Sequence, residues 1–402
     1  MDKEVVFRCE IMHEDSSVSK AYSGLSLPAM PYELQDAMER AHLDDGAEMY
    51  IEMLDHTQFP FLEPYLESVN DLYILNALAE KLAALEPWQI DALEGLLLME
   101  EQKRETFGIS RIYDLAASAK AGACQVLYDA VDDEQLGRFY VENGFVPETE
   151  ELPEALFDML DYKKIGGKMR RGDGGIFLRY GCGYVVQVCD QKEEFKDLDL
   201  KHSVPDYTIL LEAGVPDRGD SVMLKLPLSQ SELKSVPDHF EVRGWCDLTW
   251  RCADCRIPSM CDLISMMENI VFINFAAEQL AEIPEERLKS CKALIEAAQP
   301  QDLTDATALL DQADEYTFSP RLVSPAALAK EELICRMGTQ EADQLIPFVN
   351  LSGYGERLME SHNQVMTAYG VIGREDMQPF RIMEEQEGQN PPAMSAMEGM
   401  QM

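Results

Sequence analysis

Several short phrases of this chain are written twice, in the same order. "LSLPAMPYEL", Leu25 to Leu34, is answered by "LKLPLSQSEL", Leu224 to Leu233; each sets Leu-Pro at the end of an extended run and Glu-Leu five residues beyond the proline. "LNALAEKLAALEP", Leu75 to Pro87, is answered by "INFAAEQLAEIP", Ile273 to Pro284, which pairs Asn76 with Asn274, Glu80 with Glu278 and Leu82 with Leu280. "IFLRYG", Ile176 to Gly181, is answered by "VMTAYG", Val365 to Gly370. Recurrence in order at a nearly constant offset constrains a chain to two similar units, since the same apolar pattern must be buried twice. The length, 402 residues, also exceeds what one core usually organises. The expected division is a first repeat over 1–189, a linker over 190–202 and a more degraded second repeat over 203–375.

Within the first repeat, "EVVFRCEIM" (Glu4–Met12) and "AYSGLSL" (Ala21–Leu27) have the alternating, β-branched character of strands. Pro31 suits the first turn of a helix, where its missing N–H is not needed. Leu75, Leu78, Leu82 and Leu85 recur on one helical face, and Pro87 opens another helix carrying Ile90, Leu93 and Leu97. Further helices are expected around Ile112–Ala119 and Asp132–Glu142. "GIFLRYGCGYVVQV", Gly175 to Val188, reads as a hairpin around Gly181-Cys182-Gly183. The fold class expected is therefore α+β: a β-rich part over 1–66, a helical part over 67–125 and an acidic α+β part over 126–189. The linker, "DQKEEFKDLDLKH", is charged and almost free of apolar residues. The Met-rich stretch 376–402 is expected to be disordered.

A search for chemistry finds little. The six histidines are scattered and match no metal-ligand spacing. "RRGDGG", Arg170 to Gly175, lacks the lysine and hydroxyl residue of a phosphate loop, and reads as a turn. Cys246, Cys252, Cys255 and Cys261 could hold a structural zinc, but the matching region of the first repeat has Ala47, Met53, His56 and Leu62, so buried reduced thiols are expected. No catalytic constellation, cofactor or metal is expected. No apolar run approaches the ~18 residues of a membrane span and no basic-then-apolar leader opens the chain, so a cytoplasmic protein is expected.

Charge is the outlier: 74 acids against 34 bases, net −40. Between Arg40 and Lys81 nine acids occur and no Lys or Arg. From Asp132 to Asp161 ten acids face Arg138 alone: Asp132, Asp133, Glu134, Glu142, Glu148, Glu150, Glu151, Glu154, Asp158 and Asp161. A merely solvated helix mixes both signs and gains i,i+4 pairs. Duplex DNA presents one charge per ~1.7 Å of axis, and a surface built to grip it also grips carboxylates. These ten acids are the expected partner-binding stripe, with Leu136, Phe139 and Tyr140 turned inward.

"VDDEQLGRFYVENG" followed by "PEALFDMLDYKKIGGKMRRGDGGIFLRYGCGYV" resembles the ArdA antirestriction family in the form found in Firmicutes. That family has an acidic "ELGR" helix, an aromatic pair, a Φ-D-Y-x-x-x-G turn and a terminal "YGYV" hairpin in that order. The likeness covers about residues 5–189; the second repeat has "SPAALAKEEL" where the acidic helix would stand. The resemblance implies two tandem ArdA-like repeats, a non-enzymatic DNA mimic encoded by a mobile element, and as partner the basic channel of a type I restriction–modification enzyme. The surplus of acid repels nucleic acid, so no direct nucleic-acid binding is expected, and without an apolar run no membrane is; the resemblance implies a homodimer, for which two copies in one chain could stand as an intrachain pseudo-dimer. The alternative is a protein-interaction module that kept the fold without antirestriction activity.

Overall fold

The computed structural model describes residues 5–14, 21–43, 48–66, 69–103, 107–149, 152–157, 159–179, 181–198, 204–216 and 218–380. These group into two units, Met1–Met30 with Leu43–Ser203 and Pro31–His42 with Val204–Met402. The fold is α+β, with small antiparallel sheets and many helices.

The first unit begins with β1 (Phe7–His13) and β2 (Tyr22–Leu27). Phe7, Cys9 and Ile11 are fully buried, the alternation that puts every second strand residue on one face. Helix α1 (Pro31–Arg40) follows in the chain but belongs to the second unit. β3 (Met49–Asp55) completes a sheet of order β2-β1-β3, with a bulge between Arg8 and Cys9. Next come α2 (Glu63–Leu66), α3 (Leu72–Ala83), α4 (Pro87–Lys103) and α5 (Ile109–Lys120). Asp71 caps α3 by accepting the amides of Tyr73 and Ile74. Leu72, Leu75, Leu78, Ala79 and Leu82 line its buried face, as the helical period predicts. Each fully buried leucine contributes roughly 1.5–3 kcal/mol relative to exposure. β4 (Cys124–Leu127), α6 (Asp133–Glu142), α7 (Glu154–Phe157), α8 (Tyr162–Asp173), β5 (Ile176–Phe177) and β6 (Tyr184–Gln187) complete the unit. The expected hairpin is β5–β6, with Phe177 opposite Tyr184; β4, absent from the sequence reading, pairs on the other side of β6.

The second unit has β7 (Ile209–Gly214), β8 (Ser221–Leu226), α9 (Gln230–His239), β9 (Thr249–Cys255), α10 (Cys261–Met266), α11 (Ile270–Glu282), α12 (Glu285–Ala298) and α13 (Leu303–Asp311). It continues with β10 (Tyr316–Ser319), α14 (Pro325–Met337), α15 (Thr339–Leu345), α16 (Leu351–His362), β11 (Val365–Thr367) and β12 (Gly370–Arg374). Its sheet orders, β8-β7-β9 and β10-β12-β11, match β2-β1-β3 and β4-β6-β5 of the first unit. Details match as well. The Leu27–Pro28 and Leu226–Pro227 bonds are both cis. Asn76 accepts the Ala29 amide at 2.6 Å and donates to the Ala29 carbonyl at 3.2 Å; Asn274 does the same with Leu228 at 2.7 and 3.1 Å.

The unit boundary departs from the expected division at residues 31–42. Pro31 has no N–H, so Tyr32 supplies the first free amide of α1, and it donates to the Asp254 carboxylate at 3.2 Å. Farther along α1, Lys292 of α12 pairs with Asp36 at 2.9 Å and Glu39 at 2.8 Å, and Arg40 pairs with Glu296 at 2.9 Å. The Tyr369 hydroxyl donates to Asp36 at 2.8 Å. A polar face so fully matched holds the helix to the second unit.

The expected linker is also less free than its composition suggests. The amides of Glu194 and Phe195 both donate to Asp114 at 2.8 Å, and the Lys192 amide donates to Ser118 at 2.8 Å. Residues 190–198 therefore lie along α5, while 199–202 fall outside the described residues, as do 381–402 of the expected tail.

Candidate functional site

The start of the acidic stretch folds as α6, and α8 crosses it with the two backbones in close contact. A Cβ at Gly137 would stand 1.9 Å from the Tyr162 carbonyl oxygen, and a Cβ at Gly166 would stand 1.9 Å from that of Asp133. Only glycine at both positions lets the backbones approach so closely. The Φ-D-Y-x-x-x-G phrase thereby acquires a structural meaning: Asp161 caps α8 through the Lys164 amide at 3.0 Å, Tyr162 lies at the crossing, and Gly166 permits it. Leu136 of "EQLGR" is fully buried. Arg138 is exposed; its guanidinium lies 4.5 Å from the centre of the Tyr162 ring and pairs with Glu134 at 3.1 Å. In the second unit α14 and α16 meet in the same way, with a Cβ at Gly355 falling 1.8 Å from the Pro325 carbonyl oxygen.

The acids of the stripe have different fates. Asp132, Glu134, Glu142, Glu148 and Asp161 are exposed. Asp132 caps α6, accepting the Glu134 and Gln135 amides at 2.9 and 2.8 Å. Asp133 is half-buried and bound in bidentate fashion by Arg170 at 2.8 and 3.2 Å; that bond holds its carboxyl below the usual range. Glu148 faces Lys168 at 3.3 Å; its own backbone amide, then Lys168, hold its carboxyl below the usual range too. Glu150, Glu151 and Asp158 lie outside the described residues, and Glu154 is placed only as part of α7.

The aromatic pair divides. Both rings are half-buried, but Tyr140 packs against the buried cluster of Ala130, Leu136 and Tyr184, as expected, whereas Phe139 does not. Phe139 stacks on the exposed Phe145, and the hydroxyls of Tyr140 and Tyr184 both bond to Asp173.

The sequence reading missed the counter-charges. Lys168 and Arg170 lie on α8, beyond the end of the acidic stretch, and the fold brings them back against it. Their signal was visible as the basic cluster Lys163, Lys164, Lys168, Arg170 and Arg171, directly after the acids. A depression of about 300 Å³ beside the crossing is lined by Glu134, Arg138, Asp161, Tyr162 and Lys163, so it carries both signs of charge. The earlier acidic run is different. Glu48, Glu52 and Glu63 are exposed, and among the described residues no lysine or arginine pairs with them.

The cysteines of the second unit are divided. Cys246 is exposed and Cys255 is buried, while the Cys252 thiol donates to Cys261 at 3.5 Å. The bond to Cys261 and then burial push the Cys252 thiol up, and burial does the same at Cys255; both are protonated at neutral pH. Among the described residues no three His, Cys, Asp or Glu side chains converge as a metal site. Compared with protein-family models and with curated proteins, the chain matches none.

Proposed function

We propose that this chain is an acidic, non-catalytic inhibitor that imitates the charge of duplex DNA and occupies the basic DNA-binding channel of a type I restriction–modification enzyme. The observation that carries the reading is the run from 41 to 80, which contains no Lys or Arg and exposes Glu48, Glu52 and Glu63 without a described basic partner. Carboxylates without a basic partner have no adjacent positive charge to offset their field, and many of them summed produce a field that a phosphate-binding cleft meets with complementary sign. The exposed members of the later stripe, Glu142 above all, extend that surface.

The matching strand orders, the paired bulges and the paired asparagines support descent by tandem duplication of an ArdA-like unit, which makes the chain an intrachain pseudo-dimer. No described helix is long and apolar enough to cross a membrane; placement in the cytoplasm belongs to the proposal.

The test is capture of the full chain by an immobilised type I methyltransferase, with and without excess duplex DNA, over a salt series. Displacement by DNA and steep weakening with salt are expected; capture indifferent to both would end the DNA-mimic reading. One observation favours a second reading, an interaction module of a mobile element without antirestriction activity: Arg170 and Lys168 offset two acids of the stripe that most resembles the family. Partner binding that DNA does not displace would select it.

A further inference from the structure

The second unit holds a cavity that the acidic surface does not explain. It is an open pocket of about 500 Å³, lined chiefly by Trp245, Trp250, Leu248, Met266, Met267 and Glu268. The two indole rings lie 5.9 Å apart at 78°, the walls of a corner. Both indole N–H groups are already committed, Trp245 to the Leu233 carbonyl at 3.0 Å and Trp250 to the Met267 carbonyl at 3.1 Å. The rings can therefore offer an occupant only carbon and π-electrons. The Ser265 hydroxyl is committed too, donating to the Cys261 carbonyl and accepting the Cys252 amide. Thr249 and Cys246 also line the site, the Thr249 hydroxyl donating to the Gly214 carbonyl at 3.5 Å; among the described lining residues the one charged side chain is the exposed carboxylate of Glu268, and none is basic.

The corner is particular to this unit. Opposite Trp250 on β7 stands Ala213, which leaves room for the indole; the same register position of the first unit pairs Ile11 with Ile51. An aliphatic pair there presents no aromatic wall. The difference separates this cavity from whatever the two units have in common.

We propose that this cavity binds a small organic ammonium ion, seated against Trp245 and Trp250 and balanced by Glu268. Aromatic rings attract a cation through their quadrupole, most strongly for tryptophan, and a carboxylate at the rim adds net charge. An alkylated ammonium fits best because its methyl groups tolerate a site that supplies no free hydrogen-bond acceptor on the ring side. A neutral apolar molecule of the same shape fills the space but gains neither attraction.

The experiment titrates the 402-residue chain with choline and with 3,3-dimethyl-1-butanol, its uncharged carbon counterpart, while following the three indole N–H resonances by NMR. Choline is expected to shift Trp245 and Trp250 saturably and to leave Trp88 unmoved. The neutral compound is expected to bind about five-fold more weakly, the factor that corresponds to roughly 1 kcal/mol. Glu268→Gln, an exposed change that does not threaten folding, is expected to weaken choline by about three-fold or more. Trp250→Ile, which installs the residue of the first unit, is expected to remove binding. A trimethyl-lysine amide binding tighter than choline assigns the site to a protein side chain; the reverse order assigns it to a free solute. Equal binding of choline and the butanol, or no saturable shift of Trp245 and Trp250 with either, overturns the proposal.

Discussion

The ammonium of Lys292 lies 2.8 Å from the Glu39 carboxylate, across 253 positions of sequence, and is only 1% exposed. Burial by itself pulls that ammonium's pKa down; Asp36 and Glu39 more than reverse the effect, so the net shift is upward and the charge is kept. A buried cation with two carboxylate partners stabilises little against apolar residues of equal volume, but removing one partner strands the others. Lys292→Met is therefore expected to destabilise the second unit by about 3–5 kcal/mol. Hydrogen exchange should show residues 31–42 losing protection first. Unchanged protection of that segment would mean that α1 is held by its apolar face alone.

Asp254 gives the second unit a distinctive pH dependence. It is fully buried, and burial raises its carboxyl from 3.8 to about 6, although the Tyr207 hydroxyl and the Tyr32 amide bond to the charged form and oppose the shift. The folded pKa lies above the unfolded one, so the folded state binds the proton more tightly. This site's contribution is fully present below about 3.8 and is lost as pH rises through about 6. Comparing urea unfolding of the wild type with Asp254→Asn isolates it. The wild type should gain up to about 3 kcal/mol relative to the variant between pH 7 and pH 4. Parallel profiles would place the Asp254 pKa near its ordinary value.

The α6–α8 crossing is expected to be intolerant of a single methyl group. Gly137→Ala or Gly166→Ala drives a Cβ into backbone oxygen, with only helix displacement as relief. A loss of about 1–3 kcal/mol or more is expected, measured by thermal or urea unfolding. Gly172→Ala in the same helix α8 meets nothing within 4 Å and should be neutral or stabilising by up to about 1 kcal/mol. Equal effects at all three positions would mean that helix propensity, not the crossing, sets the response.

Asp132 allows capping and charge to be separated. Asp132→Asn keeps an oxygen for the Glu134 and Gln135 amides and removes the charge; Asp132→Ala removes both. The alanine variant should lose about 1 kcal/mol of stability and the asparagine variant little. Partner binding, if it depends on charge, should weaken equally in the two. Neutralising Glu48, Glu52 and Glu63 together should weaken it more than neutralising the paired Glu134 and Glu148. The reverse ranking, measured by competition with duplex DNA, would move the interface to α6.

Much of the fold was legible in the residues themselves. The strands β1 and β2, the start of α1 at Pro31, the apolar face of α3 and the β5–β6 hairpin all follow from periods of 2 and 3.6 and from the positions of proline and glycine. Such patterns are local, since they depend on which side chains share a face within a few residues. The exposure of Glu142 and the burial of Leu136 on α6 come from the same source.

Tertiary structure alone decided what each face meets. Periodicity marks α1 as amphipathic but does not say that Asp36 and Glu39 find Lys292, or that Asp254 caps the helix. It marks Asp132 to Asp161 as acidic but does not say that Arg170 and Lys168 return to neutralise part of it. It shows three tryptophans without placing two of them at a corner. The charged partners lie tens to hundreds of residues apart, and even the two tryptophans, five apart, meet through a fold of the chain between them; which groups meet depends on the packing of the whole unit rather than on any segment's own preference.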